Sequence, residues 1–99
     1  MKQPTKCSNI NDIRSAIDEI DLQIIKLIAQ RAAYVQKAAE FKTDKTSVKA
    51  PDRVKSMLAK RREWAELNHI NPDFIENLFS NLVEYFISKE MKTWQNEQN

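Results

Sequence analysis

A chain of 99 residues with 16 basic and 14 acidic side chains carries a formal net charge of +2, and its length suits a single domain with one small core. Glycine is absent, which excludes phosphate-cradling loops and dinucleotide fingerprints, because both need backbone that glycine alone adopts easily. Cys7 is the only cysteine and His69 the only histidine, so neither an internal disulfide nor a cysteine- or histidine-rich metal site is expected. His69, in "LNHINP", reads as a structural or solvent-facing residue of a connection. Basic and acidic residues interleave, so no nucleic-acid partner is expected, and the run Lys60–Arg62 reads as a solvated helix face. The start "MKQPTKCSNINDI" lacks the apolar core of a signal peptide, and no run approaches membrane-spanning length. A cytoplasmic protein with no membrane contact is expected.

The first helix starts after Ser8 or Asn9, with Asn11 and Asp12 suited to its positive end. Apolar residues then recur in steps of three and four at Ile10, Ile13, Ile17, Ile20, Ile24 and Leu27, and again at Tyr34, Ala38 and Phe41. Nothing interrupts the pattern before "KTDKTSVKAP", where Pro51 forbids continuation. Roughly 33 helical residues span about 50 Å, against a radius of gyration of about 13 Å for a compact domain of this length. The stripe therefore needs a second chain, and a dimer is expected. The connection Thr43–Ala50 reads as a mobile lid whose Lys45 and Lys49 attract an anion.

Pro51 and Asp52 open a second helix with Val54, Met57, Leu58, Trp64 and Leu67 on its inner face. Asn71, Pro72 and Asp73 repeat the start signal for a third. Its stripe takes Phe74, Ile75, Leu78, Phe79, Leu82, Val83, Phe86, Ile87, Met91 and Trp94. The fold class is all-α, three helices to a chain.

Three charged residues break or border the apolar pattern: Arg31, Lys42 and Glu90. A guanidinium in an apolar groove needs an anion, and Arg31 reads as a ligand-binding group before it reads as half of an intersubunit salt bridge. On a continuous helix Lys42 lies about 16 Å beyond Arg31, rotated by only about 20°, so the two could converge on one small dicarboxylate. Lys42 reads equally well as a solvated cation at a helix end. Arg14 is about 25 Å from Arg31 along the helix and turned by about 100°. One ligand cannot touch both within a chain; in an antiparallel dimer Arg14 of one subunit could approach the Arg31–Lys42 segment of the other. As a surface residue it would pair with Asp18. Spacing alone leaves both readings standing.

Taken together, "DIRSAIDEIDLQIIKLIAQR", Lys42, "APDRVKSML", "REWAE", "FIENLF" and a late tryptophan resemble the isochorismate pyruvate lyases of salicylate synthesis, within the all-helical, type II-like chorismate mutase class. The resemblance covers about Asp12 to Trp94 and implies an intertwined homodimer with two equivalent sites, no metal and no cofactor. It implies pyruvate elimination from isochorismate, leaving salicylate that could feed a siderophore, with weak chorismate mutase activity besides. By that resemblance Arg31 binds one carboxylate of the substrate and Arg14 of the partner subunit the other. Lys42 meets the ether oxygen, Arg53 faces the ligand, and Val35, Ala38, Met57, Phe86 and Ile87 form apolar walls. Val54 stands where typical mutases carry a glutamate, which favours the lyase. Glu90 stands where the lyase pattern has glutamine, and a carboxylate donates no hydrogen bond unless protonated. Chorismate mutase itself, or a non-enzymatic helical dimer or adaptor with Arg31 paired across its interface, are the competing readings.

Overall fold

The computed structural model describes residues 1–98, with side chains through residue 92; the inner position expected of Trp94 lies outside the described side chains. Among the described residues all regular structure is helical. A short 3-10 turn, Pro4–Lys6, precedes α1 (Ile10–Ala39), α2 (Lys45–Lys49), α3 (Pro51–Leu67) and α4 (Pro72–Gln98). The chain falls into two compact units, Met1–Tyr34 and Val35–Asn99.

The first unit is built on one helix. Asn9 caps α1 by accepting from the Asp12 amide at 2.9 Å, which satisfies a donor that the helix itself leaves open. Asp12 reaches back to accept from the Ser8 amide and hydroxyl, each at 3.1 Å, and pairs with Lys2 at 3.2 Å. These bonds, the Ser8 amide first, hold its carboxyl below the usual range. The Cys7 thiol is unpaired and sits 3.6 Å from the Gln3 carbonyl. No residue of α1 is buried. Ile10, Ile13, Ile17, Ile20, Ile24, Leu27 and Ile28 all stand open, the least exposed at 36 %.

α1 is three residues shorter than its periodicity suggests. Its end tightens into i→i−3 bonds, from Glu40, Phe41 and Lys42 amides to Lys37, Ala38 and Ala39 carbonyls, so Lys42 leaves the helical register. The spacing argument that aligned it with Arg31 on one helix does not hold. The expected loop is also incorrect in part, since residues 45–49 form a turn and a half of helix. Asp44 starts it by accepting from the Ser47 amide at 2.8 Å.

In the second unit α3 packs on α4, and α2 packs on α4 as well. The core is Val48 of α2, Met57 and Ala65 of α3, and Phe86 of α4. The inner face of α3 is therefore shifted from the expected one: Trp64 and Leu67 are exposed while the small Ala65 is covered. Phe74 and Leu78 are likewise exposed, and the packed side of α4 runs through Ile75, Phe79, Leu82, Phe86 and Glu90. Nor is Lys60–Arg62 merely a solvated face. The Arg61 guanidinium lies 4.8 Å from the Trp64 ring centroid and 5.7 Å from that of Phe79, a cation over two aromatic faces. Arg62 reaches Asp73 at 2.8 Å and Glu76 at 3.6 Å. Lys60 alone of the three is exposed.

Without glycine, two joints still require the left-handed region. His69 (φ 59°) ends α3, with the Ile70 amide donating to the Ala65 carbonyl at 2.9 Å and the His69 amide to that of Glu66 at 3.1 Å. This is the paired-bond helix stop that ordinarily recruits glycine. Ala50 (φ 41°, ψ 58°) closes α2 and opens α3 at once. A β-carbon in this region costs roughly 1–2 kcal/mol.

Candidate active site

Within the second unit the sequence-predicted groups meet at Lys42 and Glu90. Glu90 lies four residues after Phe86, on the packed side of α4. It is the one buried charged residue among those described. A carboxylate removed from water must find a cation or a proton. It finds Lys42, whose Nζ donates to Oε2 at 2.9 Å, with the side chains 23 % and 7 % exposed. The chain reaches this partner across 48 positions because α1 ends at Ala39 and the turn that follows carries Lys42 to α4. Lys42 is thus no solvated helix-end cation. It is an ammonium group on a buried acid, with part of its surface still open.

Met57 and Phe86 belong to the core of this unit, and Ile87 and Val35 are half-buried. Ala38 is exposed, and so is Arg53, the third residue of α3. In the first unit Arg31 is half-buried on the stripe side of α1 and Arg14 is exposed. Among the described residues no ion pair joins Arg14 to Asp18, so Arg14 stands exposed without that pairing. Two residues near the site escaped the sequence reading. Val48 is 3 % exposed on a helix too short to show periodicity, and Ala50 carries the backbone strain beside it. The pattern Asp44-x-x-Ser47 was the available signal for that helix.

Chemically, the site offers a compact cation that can meet an oxygen gaining negative charge, apolar surface beside it, and a carboxyl group that either accepts or, protonated, donates. No group in it is arranged as an activated nucleophile. Among the described residues no cluster of three or more potential metal ligands occurs, and no helix is long and apolar enough to cross a membrane.

In the comparison with family models, residues 13–91 match chorismate mutase type II. The chain belongs to that family. Among individual relatives it is 40 % identical over 95 residues to an isochorismate pyruvate lyase of Pseudomonas aeruginosa, covering 96 % of this chain and 94 % of the relative. It is 28 % identical over 89 residues to a chorismate mutase of Methanocaldococcus jannaschii, covering 89 % and 90 % respectively. A T-protein of Enterobacter agglomerans matches at 30 % over 84 residues, which is 84 % of this chain but 22 % of that protein.

Proposed function

We propose that this protein is an isochorismate pyruvate lyase, converting isochorismate to salicylate and pyruvate, with weak chorismate mutase activity as a side reaction. The observation that carries the reading is the near full-length likeness, at 40 % identity, to a lyase of that name. The half-buried ammonium of Lys42 on its acid supports it.

The reaction moves one ring hydrogen to the enolpyruvyl methylene while the ring C–O bond opens, giving pyruvate and an aromatic ring in one step. Such a step needs no nucleophile. It needs the substrate held in its reactive conformer and negative charge on the departing oxygen met by a fixed donor. Lys42 is that donor. Its present partner, Glu90, must yield the ammonium to the ligand, and must carry a proton to donate a hydrogen bond of its own. Arg31 holds one carboxylate bidentately, as guanidinium forks do. Arg14 of the partner subunit holds the other, and Arg53 approaches the same anion. Val35, Ala38, Met57, Phe86 and Ile87 supply apolar walls.

The homodimer is part of the proposal. What supports it is a 30-residue α1 that buries no side chain against its own chain, while its isoleucine stripe offers more apolar surface than a monomer ordinarily leaves open. The site takes a small dicarboxylate and neither nucleic acid nor a membrane, in the cytoplasm. Pyruvate release from isochorismate, followed beside prephenate formation from chorismate, is the deciding assay. Salicylate fluorescence rising faster than prephenate accumulates is the expected result. The opposite ranking would make the protein a chorismate mutase, a second reading favoured by the Methanocaldococcus jannaschii relative.

A further inference from the structure

Arg14, the group assigned to the partner subunit's site, stands in the second turn of a helix that gains nothing from packing, since α1 buries no side chain against its own chain. A helix start in that position frays, because its first amides lack intrahelical partners. Here a folded arm ties it down. Residues before α1 close into a 3-10 turn, with the Lys6 amide donating to the Gln3 carbonyl at 2.8 Å and the Cys7 amide to that of Pro4 at 3.2 Å. Three donors of the arm then converge on one atom, Asp12 Oδ2: the Ser8 amide and hydroxyl at 3.1 Å each, and Lys2 Nζ at 3.2 Å. The Asp12 amide in turn donates to Asn9 Oδ1 at 2.9 Å, so donors on both sides of the helix start are satisfied reciprocally. Lys2 and Ser8 leave the Asp12 side chain only 22 % exposed.

Two features make Asp12 more than a cap. It lies less than one turn before Arg14, so the backbone it holds is the backbone that aims the guanidinium. It also sits about 160° round the helix from Arg14, with its charge matched by Lys2, so it does not compete with a bound carboxylate for that guanidinium. Asp18, the acid four residues beyond Arg14, makes no ion pair with it among the described residues.

We propose that Asp12 is a positioning residue for Arg14: by gathering Ser8 and Lys2 onto the first turn of α1, it sets the direction in which the guanidinium enters the partner subunit's site. Asp12 touches no substrate. Its role rests on the lyase reading above and on the place of Arg14 in it; the clasp itself does not. An arginine on a frayed turn must be ordered each time a substrate arrives, which weakens its grip on ground state and transition state alike. Such a loss raises KM and spares kcat.

The test is a double-mutant cycle on pyruvate release from isochorismate, with amide hydrogen exchange beside it, in the full-length protein. Asp12→Ala is expected to raise KM about three- to tenfold at nearly unchanged kcat, and to lower protection at the amides of residues 12–14 about tenfold. In an Arg14→Ala background the same change should raise KM no further, since nothing remains to be positioned. Asp12→Asn still accepts from Ser8 and should stay within about twofold of the parent KM. A rise in KM equally large with and without Arg14 overturns the proposal and marks Asp12 as merely structural. So does a parent-like KM in Asp12→Ala or in Arg14→Ala. Should Asp12→Ala fail to fold, Ser8→Ala, which removes one of the three bonds, takes its place in the cycle. A parent that forms prephenate but releases no pyruvate sinks the lyase reading, and the cycle run on chorismate then decides the role of Asp12. A parent active on neither substrate overturns both.

Discussion

The two units of this chain solve the problem of an amphipathic helix in opposite ways. In the second, α3 and α2 cover one side of α4, and the chain makes its own core from Val48, Met57, Ala65 and Phe86. In the first, α1 carries a cleaner apolar stripe whose isoleucines all stand exposed. A stronger pattern thus coincides with weaker burial, which teaches that periodicity reports what a helix is meant to touch, not whether its own chain supplies it. On the reading proposed above, the second unit would be a scaffold for chemistry and the first half of an interface.

That contrast breaks most sharply with a charge in the stripe. Ile20→Glu is expected to abolish assembly and all turnover together, seen as a halved mass in light scattering; a fully active monomer would refute the division of labour. Next in size, Lys42→Ala should lower kcat by about 10²–10³-fold with the dimer mass unchanged, while Lys45→Ala, at the exposed start of α2, keeps most activity. Equal losses in the two would assign Lys42 to ordering the segment, without direct contact. Glu90→Gln sharpens the site itself. The variant keeps a neutral hydrogen-bond donor at this position and releases Lys42 from its ion pair, so it should hold or raise turnover of isochorismate; a loss as large as that of Lys42→Ala rules the donor role out.

A smaller effect is set by pH at two helix starts, one in each unit, because the Asp12 and Asp44 carboxyls are both held below the ordinary range. The Asp12 carboxyl titrates lower in the folded chain than in the unfolded one, so its contribution is complete above the ordinary carboxylate range and disappears as pH falls through the lowered value. Acid should therefore fray the start of α1, measured as faster exchange at the Ser8 and Asp12 amides, before α3 loosens. Smallest of all, His69→Gly should raise the stability of the second unit by about 0.5–1 kcal/mol, the left-handed penalty less the added freedom of the unfolded chain. Thermal denaturation measures it, and a lower melting temperature would argue against strain at that joint.

Much of the fold was legible. Asn9, Pro51 and Pro72 mark helix starts where the sequence suggests them, because caps and first-turn prolines act locally. The end of α1 was not legible, since it is made by tightening hydrogen bonds and not by any breaker residue. α2 stayed hidden because five residues are too few to display a period. The register of α3 was misjudged through the size of Trp64 and Leu67. Burial there goes to Ala65, whose small side chain permits close packing of α3 on α4. Of the site, the out-of-place charges pointed to Lys42 and Glu90, yet not to each other, because a contact across 48 positions leaves no trace in spacing.

The union of Lys42 with Glu90 has a final consequence for discrimination among solutes. The ammonium is already occupied by an intramolecular competitor tethered at effectively high concentration. Chloride, acetate and other singly charged species offer too little in exchange to evict it. On the proposed assignment, a substrate gripped also by Arg31 and the partner subunit's Arg14 would displace it, which would favour dianions before any pocket shape is considered.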